Sequence, residues 1–258
     1  MLEDYNGFKA KVLKLTGIDL SSYKERQMRR RIDSLIKRNN YDDYDDYFKA
    51  LTQNTKLYDE FINYLTINVS EFYRNPNQWE IIEKNIMPEI LKHNKKPKIW
   101  SAACSTGEEP YSLVMMMSRF MDLSNIKIIA TDIDDGAVEK AKRGLYIPKS
   151  LINLPKDFIT NFFEREGENY RISDKVKRCV EFRHHNLLND KYIDNCDLIV
   201  CRNVMIYFTE EAKADMYNKF RESLTPTGVL FVGSTEQIIL PQRYKLEPIK
   251  TFFYKKML

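Results

Sequence analysis

The stretch KIWSAACSTGEEPYS, residues 98–112, decides the fold. It begins as a short apolar strand, passes through small residues and opens a helix with a proline in its first turn. This order of strand, loop and helix is typical of a nucleotide-binding turn. However, the loop carries one glycine, Gly107, where such loops usually carry several, and it contains no lysine.

Two glutamates, Glu108 and Glu109, stand at the start of this helix. A bound phosphate favours a helix N-terminus without negative charge, because the N–H groups and the helix dipole attract anions. Glu108 therefore indicates a positively charged ligand, and S-adenosylmethionine, with an ammonium and a sulfonium and no phosphate, fits. The alternative is that both glutamates only stabilise the helix start.

Strands and helices alternate along the chain after this turn. IKIIATDID precedes the helix DGAVEKAKRG, CDLIVCRNVMIYF precedes EEAKADMYNKFRESL, and VLFVGSTE and TFFYKKML are further strands. The alternation predicts an α/β fold with a doubly wound, mostly parallel sheet. Residues 146–188 interrupt it, and NYRISDKVKRCVEFRHHNLL at their end predicts short antiparallel strands in a small inserted β-subdomain.

The N-terminal region is predicted to be a separate all-α domain over residues 1–74, followed by a catalytic domain over 75–258. The helical spacing of Met28, Ile32, Leu35 and Ile36 predicts the buried stripe of an amphipathic helix. The helix-breaking proline in RNPNQ, residues 74–78, marks the junction.

The composition limits the class of protein. The 258 residues carry a net charge of +4 and contain four cysteines without metal-ligand spacing and three histidines. No apolar run approaches the ~18 residues of a membrane span, and MLEDYNGFKA is not a secretion signal. These features predict a cytoplasmic protein without a metal site and without membrane insertion.

Two other strand ends carry candidate ligand-binding residues. Asp132 follows the second strand, where an acid can accept hydrogen bonds from ribose hydroxyls. The alternative is a helix cap, which Asp134 could supply instead. Asn203 leaves the third strand towards the same crevice, but the Pro-Pro element common in DNA amine methyltransferases is absent, so nucleic acid is not the expected partner.

Five segments together resemble the chemotaxis receptor glutamate O-methyltransferase family (CheR): TINVSEFYRNP, IWSAACSTGEEPYSL, ATDIDDGAVEKAKRG, CRNVMIYF and GVLFVGSTEQI. The resemblance covers nearly the whole chain in order. It implies a Rossmann-like S-adenosylmethionine-dependent methyltransferase domain with a small antiparallel β-subdomain, preceded by a small all-α domain. It also implies transfer of methyl groups to glutamate side chains of chemoreceptor cytoplasmic helices in chemotaxis adaptation, with S-adenosylhomocysteine as product.

The resemblance also implies roles for single residues. Arg74 and Tyr207 are expected to orient the substrate carboxylate and so to be the catalytic residues, although without the resemblance Arg74 would be interpreted as a surface arginine. The ammonium of the cofactor is expected on Glu108 and its ribose on Asp132. The full set expected to bind the cofactor is Asn68, Ser70, Arg74, Glu108, Asp132, Asn186, Leu187, Asn203 and Val204.

The segment YKERQMRRRIDSLIKR, residues 23–38, holds seven Lys or Arg against two acids. By resemblance, four arginines would dock this helix onto the acidic surface of a chemoreceptor: Arg26, Arg29, Arg30 and Arg31. The alternative is a solvated helix face. The β-subdomain lacks the glycine-containing insertion with which some relatives grip a receptor tail, so such a tether is not expected, and the protein is expected to be a monomer.

Two competing functions stay open at this point. The chain could methylate a small molecule or a nucleic acid on the same fold. It could also be a module without enzymatic activity that senses S-adenosylmethionine and signals by contact with a partner.

Overall fold

An N-terminal helical part and a C-terminal α/β part make up the chain in a computed structural model that describes residues 4–257. Residues 1–3 and 258, which belong to the predicted first and last segments, lie outside the described residues. The helical part contains α1 (Tyr5–Thr16), α2 (Glu25–Arg38), α3 (Tyr44–Gln53) and α4 (Thr55–Thr66).

The helical part has its own apolar core. Asp43 and Asn54 cap α3 and α4 by accepting backbone N–H bonds, as short polar side chains do at helix starts. The rings of Phe8 and Tyr47 each lie with their centroid 6.1 Å from that of Phe61. The predicted stripe of α2 is buried at all of its positions, namely Met28, Ile32, Leu35 and Ile36.

The α/β part is built from strands and helices that alternate along most of its length. Its strands are β1 (Ile99–Ser101), β2 (Ile128–Asp132), β3 (Leu145–Tyr146), β4 (Phe163–Glu166), β5 (Asn169–Ile172), β6 (Val180–His184), β7 (Cys196–Cys201), β8 (Leu224–Val232), β9 (Leu246–Lys250) and β10 (Phe253–Lys256). Its helices are α5 (Pro76–Ile81), α6 (Met87–His93), α7 (Glu108–Met117), α8 (Asp135–Arg143), α9 (Lys156–Phe162), α10 (Asp174–Lys177) and α11 (Glu210–Ser223).

A seven-stranded sheet in the order β6-β2-β1-β7-β8-β10-β9 forms the centre of this part. The first five strands in that order run parallel, and β10 pairs antiparallel with both β8 and β9. The chain leaves β1 towards β2 and β6 and then returns to β7. The strand order therefore reverses between β1 and β7, which is where open α/β sheets bind their ligands.

The helix α7, which follows the loop after β1, consists mainly of apolar residues. All its residues except Glu109 are buried, because it lies between the sheet and the small subdomain rather than at the surface. The helix α8 ends at Gly144, as predicted, with the glycine in the left-handed conformation of a C-cap.

One prediction about strands is wrong, and one strand was not predicted. The segment VEFRHH forms β6 at the parallel edge of the large sheet, with Val180 opposite Ile128, rather than an antiparallel strand of the insertion. Its exposed residues lack the continuous apolar run of a central parallel strand. Residues 246–250 form β9, a strand that the sequence analysis did not predict; it lies at the edge of the sheet, where its Pro248 is tolerated.

The small subdomain is a three-stranded antiparallel sheet in the order β3-β5-β4. The strands β4 and β5 form a hairpin in which Glu166 pairs with Asn169, so Gly167 and Glu168 make the turn. The small sheet thus ends at Ile172, before the predicted end of the insertion at 188. The domain boundary at 74 stays a prediction; α4 ends at Thr66, and residues 67–75 connect it to α5.

Within residues 4–257, no helix is both long and apolar enough to cross a membrane.

Candidate active site

A pocket opens where the carboxyl ends of β1, β2, β6 and β7 meet the segment after α4. Parallel strands bring their carboxyl ends to one edge of the sheet, so loops distant in sequence share this wall. The pocket is lined by Tyr23, Leu65, Thr66, Ile67, Asn68, Val69, Ser70, Glu71, Arg74, Ala102, Ala103, Ser105, Glu109, Asp132, Ile133, His185, Asn186, Leu187, Arg202, Asn203, Val204, Tyr207 and Phe208.

The loop after β1 needs a glycine at one position only. Gly107 has a φ of 95°, and a Cβ there would lie 2.8 Å from the Ala141 Cβ and 2.9 Å from the Tyr146 hydroxyl. No side chain fits this space, so Gly107 allows α7 to begin against α8. Ser105 also has a positive φ of 47°, a strained conformation of the kind that concentrates at binding sites.

The two glutamates of this loop have different surroundings. Glu108 is 4% exposed and does not line the pocket; its carboxylate accepts a 2.7 Å hydrogen bond from Thr106. Burial raises the pKa of Glu108, opposed by Thr106 and the nearby Ser70 hydroxyl. Glu109 does line the pocket, although it was not among the predicted cofactor-binding residues. The role of Glu108 in holding the ammonium stays a prediction.

Asp132 lies in the pocket wall at the end of β2. Its two carboxylate oxygens accept the backbone N–H groups of Ser105 at 2.7 Å and Asp134 at 3.0 Å. Burial raises its pKa to about 6, with these hydrogen bonds opposing the shift. A carboxylate keeps further lone pairs for ligand hydroxyls. Asp134 is the N-cap of α8, so the cap and the proposed ribose ligand are separate residues, as the sequence allowed.

Asn68 joins the segment after α4 to two loops of the sheet. Its Nδ2 donates to Asp134 Oδ2 at 2.5 Å, and its Oδ1 accepts from the Ser105 hydroxyl at 3.0 Å. Ile67 before it has a φ of 50°, which is unfavourable for a β-branched residue. The amide of Asn68 is thus occupied by protein groups, and its contribution to the site includes shaping the wall.

The loop after β7 presents an unpaired polar atom. Asn203 has a φ of 60°, and its buried Oδ1 has no hydrogen-bond partner among residues 4–257. A buried acceptor without a donor is costly, so it indicates a ligand that donates a hydrogen bond. Together with the pocket carboxylates of Glu109 and Asp132, it fits a ligand that carries an ammonium and hydroxyls, as S-adenosylmethionine does.

Arg74 and Tyr207 both line the pocket. The Arg74 guanidinium donates to the Val69 carbonyl at 3.2 Å. Burial raises the pKa of Tyr207, and the positive charges of Arg31 and Arg74 oppose that shift. The two predicted catalytic residues therefore share one pocket, with Arg74 on the connecting segment and Tyr207 beyond β7. Of the other predicted cofactor ligands, Ser70, Asn186, Leu187 and Val204 also line the pocket.

Arg202 was missed by the sequence analysis, although it stands in the CRN motif beside Asn203. Its side chain is 2% exposed and donates to the Arg74 carbonyl at 2.8 Å and to Gln78 Oε1 at 2.9 Å. Its guanidinium also lies 3.7 Å from the Glu109 carboxylate. These contacts attach the start of α5 to the loop after β7.

Tyr23 of the helical part was missed as well. It forms an isolated antiparallel bridge with Phe208, and the two ring centroids lie 4.7 Å apart. Next to it, the Lys24 N–H donates to the Tyr207 carbonyl at 2.9 Å. The helical part therefore contributes to the pocket wall.

The basic helix α2 divides its arginines between two environments. Arg26 and Arg30 are exposed. Arg29 is half-buried over the ring of Tyr5, 5.1 Å from its centroid, and Arg31 donates to the Tyr64 carbonyl at 2.5 Å. Docking by all four arginines stays a prediction, and the exposed pair is better placed for it.

No three histidine, cysteine, aspartate or glutamate side chains between residues 4 and 257 are arranged to hold a metal ion.

The fold and the pocket are those expected of an S-adenosylmethionine-dependent methyltransferase with an added helical part. Family models agree: residues 68–253 match "CheR methyltransferase, SAM binding domain", and residues 3–66 match "CheR methyltransferase, all-alpha domain". The chain belongs to the CheR methyltransferase family, and the prediction of this family and of its fold class is confirmed.

Two chemotaxis protein methyltransferases are consistent with this assignment. The chain is 44% identical to a chemotaxis protein methyltransferase of Listeria monocytogenes over 98% of this chain and 97% of the relative. It is 32% identical to a chemotaxis protein methyltransferase of Borreliella burgdorferi over 89% of each chain. A TehB-like methyltransferase structure from Corynebacterium glutamicum is 14% identical, with a TM-score of 0.39 over 70% of this chain and 92% of that one.

Proposed function

We propose that the protein transfers methyl groups from S-adenosylmethionine to glutamate side-chain carboxylates of chemoreceptor cytoplasmic helices. The names of the relatives support a role in chemotaxis. The observation that most supports a carboxylate acceptor is the presence of Arg74 and Tyr207 in the wall of one pocket. A guanidinium and a phenol hydroxyl are donors that can orient a carboxylate oxygen.

Some residues of the pocket would bind the cofactor, and others would align the acceptor carboxylate. Glu109 or Glu108 and Asn203 would hold the ammonium, Asp132 the ribose, and Asn186 and Leu187 the adenine. When bound, S-adenosylmethionine supplies an electrophilic methyl group. This chain's own residues then need to align a nucleophile and exclude water.

The chemistry requires no general base. A glutamate with a pKa near ~4.3 is already ionised at neutral pH, so an oxygen lone pair can form the new C–O bond as the sulfonium–methyl bond breaks. The pocket histidine, His185, is not needed; burial lowers its pKa, which favours the neutral form. Positioning in favourable systems can contribute about 7–11 kcal/mol, so alignment by Arg74 and Tyr207 would be the main catalytic effect.

The test uses S-adenosylmethionine labelled on its methyl group and a chemoreceptor cytoplasmic fragment as acceptor. Label on the receptor that mild base releases as methanol would support carboxyl methylation. A matched receptor fragment with its candidate glutamates changed to alanine should take up none. Base-stable label would contradict the proposal. Cofactor binding with no labelled receptor would favour another acceptor or the sensing module.

A further inference from the structure

Glu236 is a buried carboxylate for which the sequence offered no role. It stands in GSTEQ, just after β8, and is 5% exposed. It forms no ion pair among residues 4–257, although a buried charge usually requires a partner. Other groups must therefore stabilise the buried carboxylate of Glu236.

Backbone N–H groups of the loops after β7 and after β8 take the place of such a partner. Glu236 Oε2 accepts from the Asn203 N–H at 2.6 Å and from the Gly233 N–H at 2.9 Å. Glu236 Oε1 accepts from the Ile206 N–H at 3.2 Å. Bonds from N–H groups to a carboxylate are charge-assisted and stronger than neutral ones, so this one side chain holds both ends of the turn that precedes Tyr207.

Gly233 makes this approach possible. A Cβ at Gly233 would lie 2.5 Å from Glu236 Oε2 and 2.8 Å from the Asn203 nitrogen. Glycine is the residue that permits such contact between a backbone and its neighbours. The turn after β8 is thus built so that a carboxylate reaches the loop after β7.

We propose that Glu236 is a positioning residue for methyl transfer. Its bond to the Asn203 N–H holds Asn203 in a strained left-handed conformation, with its Oδ1 buried at the cofactor pocket. Its bond to the Ile206 N–H holds the turn that positions Tyr207. The part that concerns Tyr207 rests on the proposed function, whereas the part that concerns Asn203 rests only on cofactor binding.

The variant Glu236→Gln tests this proposal because its amide NH2 cannot accept a hydrogen bond. The side chain keeps its size but must lose the bonds on one of its two sides. Glu236→Asp keeps both acceptors on a shorter side chain and should be less impaired if acceptor chemistry is what matters. Both variants are compared with Asp197→Asn.

Asp197 is a matched control at the opposite edge of the sheet. It is also 5% exposed and accepts from the Lys98 N–H at 2.8 Å and Asn94 Nδ2 at 2.9 Å. Asp197 lies at the start of β7, whereas Glu236 contacts the loop that follows the end of β7. Its loss should lower the melting temperature without changing the pocket.

The measurements are the melting temperature, the Kd of S-adenosylhomocysteine by calorimetry, and kcat with a chemoreceptor fragment. For Glu236→Gln we expect about tenfold weaker binding and a fall in kcat on the order of 10²-fold, as a misplacement near 1 Å can cause. Asp197→Asn should retain both values.

Other outcomes are equally decisive. If Glu236→Gln keeps the wild-type Kd and kcat, or if its losses are fully accounted for by the fraction of unfolded protein, the positioning role is wrong. If the wild type labels no receptor, the proposed function fails, but the comparison of Kd values still decides the part of the proposal that concerns Asn203.

Discussion

The side-chain amide of Asn68 lies 2.5 Å from a carboxylate oxygen of Asp134, and this pair joins the segment after α4 to the cap of α8. The Thr66 hydroxyl donates to the same oxygen at 3.0 Å. The segment that carries Ser70 and Arg74 is therefore held at the pocket by bonds to the loop after β2.

Changing Asn68 to aspartate should weaken cofactor binding. The variant Asn68→Asp places two carboxylates at hydrogen-bond distance, and their repulsion should displace the segment at a cost of about 1–3 kcal/mol in unfolding free energy. Calorimetry with S-adenosylhomocysteine should give a Kd raised several-fold.

Asn39 provides the control, because its amide donates to Glu60 Oε2 at 3.1 Å inside the helical part. Asn39→Asp should lower stability without raising the Kd. An equal rise in Kd for both variants would mean that the loss is one of general stability.

Much of the site could be predicted because it follows strand ends. Asp132 and Asn203 were placed at one crevice by the rule that parallel strands end at one edge. Arg202 could not be found in this way, because its partners Arg74 and Gln78 are more than 100 residues away in sequence. The role of Glu236 is likewise recognisable only from its contact with Asn203, which is 33 residues away in sequence. The strand β6 was not predicted as part of the large sheet, because an exposed edge strand lacks the apolar run of a central one.

The raised pKa of Asp132 predicts a pH dependence of cofactor binding. Its folded pKa of about 6 lies above the ordinary value of 3.8, so the folded state favours the protonated form. Its contribution to stability is therefore present at low pH and lost as pH rises from about 4 to about 6. Ribose hydroxyls donate to the ionised form, so affinity should change in the opposite direction.

We expect S-adenosylhomocysteine to bind about tenfold more weakly at pH 5 than at pH 7, since roughly a tenth of a group with a pKa of 6 is ionised at pH 5. Asp132→Asn should weaken binding at pH 7 and abolish this dependence. His185 also lines the pocket, and burial lowers its pKa from the ordinary value of 6.5, so His185→Gln is the control. If the dependence disappears in His185→Gln and persists in Asp132→Asn, it belongs to the histidine.

Removal of the Arg74 guanidinium should affect rate more than cofactor affinity. Arg74 is expected to align the acceptor carboxylate, so Arg74→Ala should lower kcat on the order of 10²-fold and change the Kd of S-adenosylhomocysteine by less than about threefold. Arg165→Ala removes an exposed arginine of the small subdomain and should leave both unchanged. Equal losses of kcat and affinity in Arg74→Ala would assign Arg74 to the cofactor instead.

Reversal of the two exposed charges of α2 should slow methylation of a chemoreceptor fragment. Arg26 and Arg30 lie one helical turn apart on the exposed face, and an acidic partner would be steered towards them. The double variant Arg26→Glu/Arg30→Glu should lower kcat/KM for the receptor by about tenfold or more at low salt, with the difference shrinking as salt screens the charges.

A control for net charge is the double variant Lys95→Glu/Lys96→Glu, which changes two exposed lysines just before β1, at the edge of the sheet away from the pocket. It should keep kcat/KM, and both double variants should keep the Kd of S-adenosylhomocysteine. A fall in cofactor affinity together with kcat/KM in the α2 variant would indicate misfolding. Equal slowing by both pairs would mean that net charge, rather than this helix face, governs the encounter with the receptor.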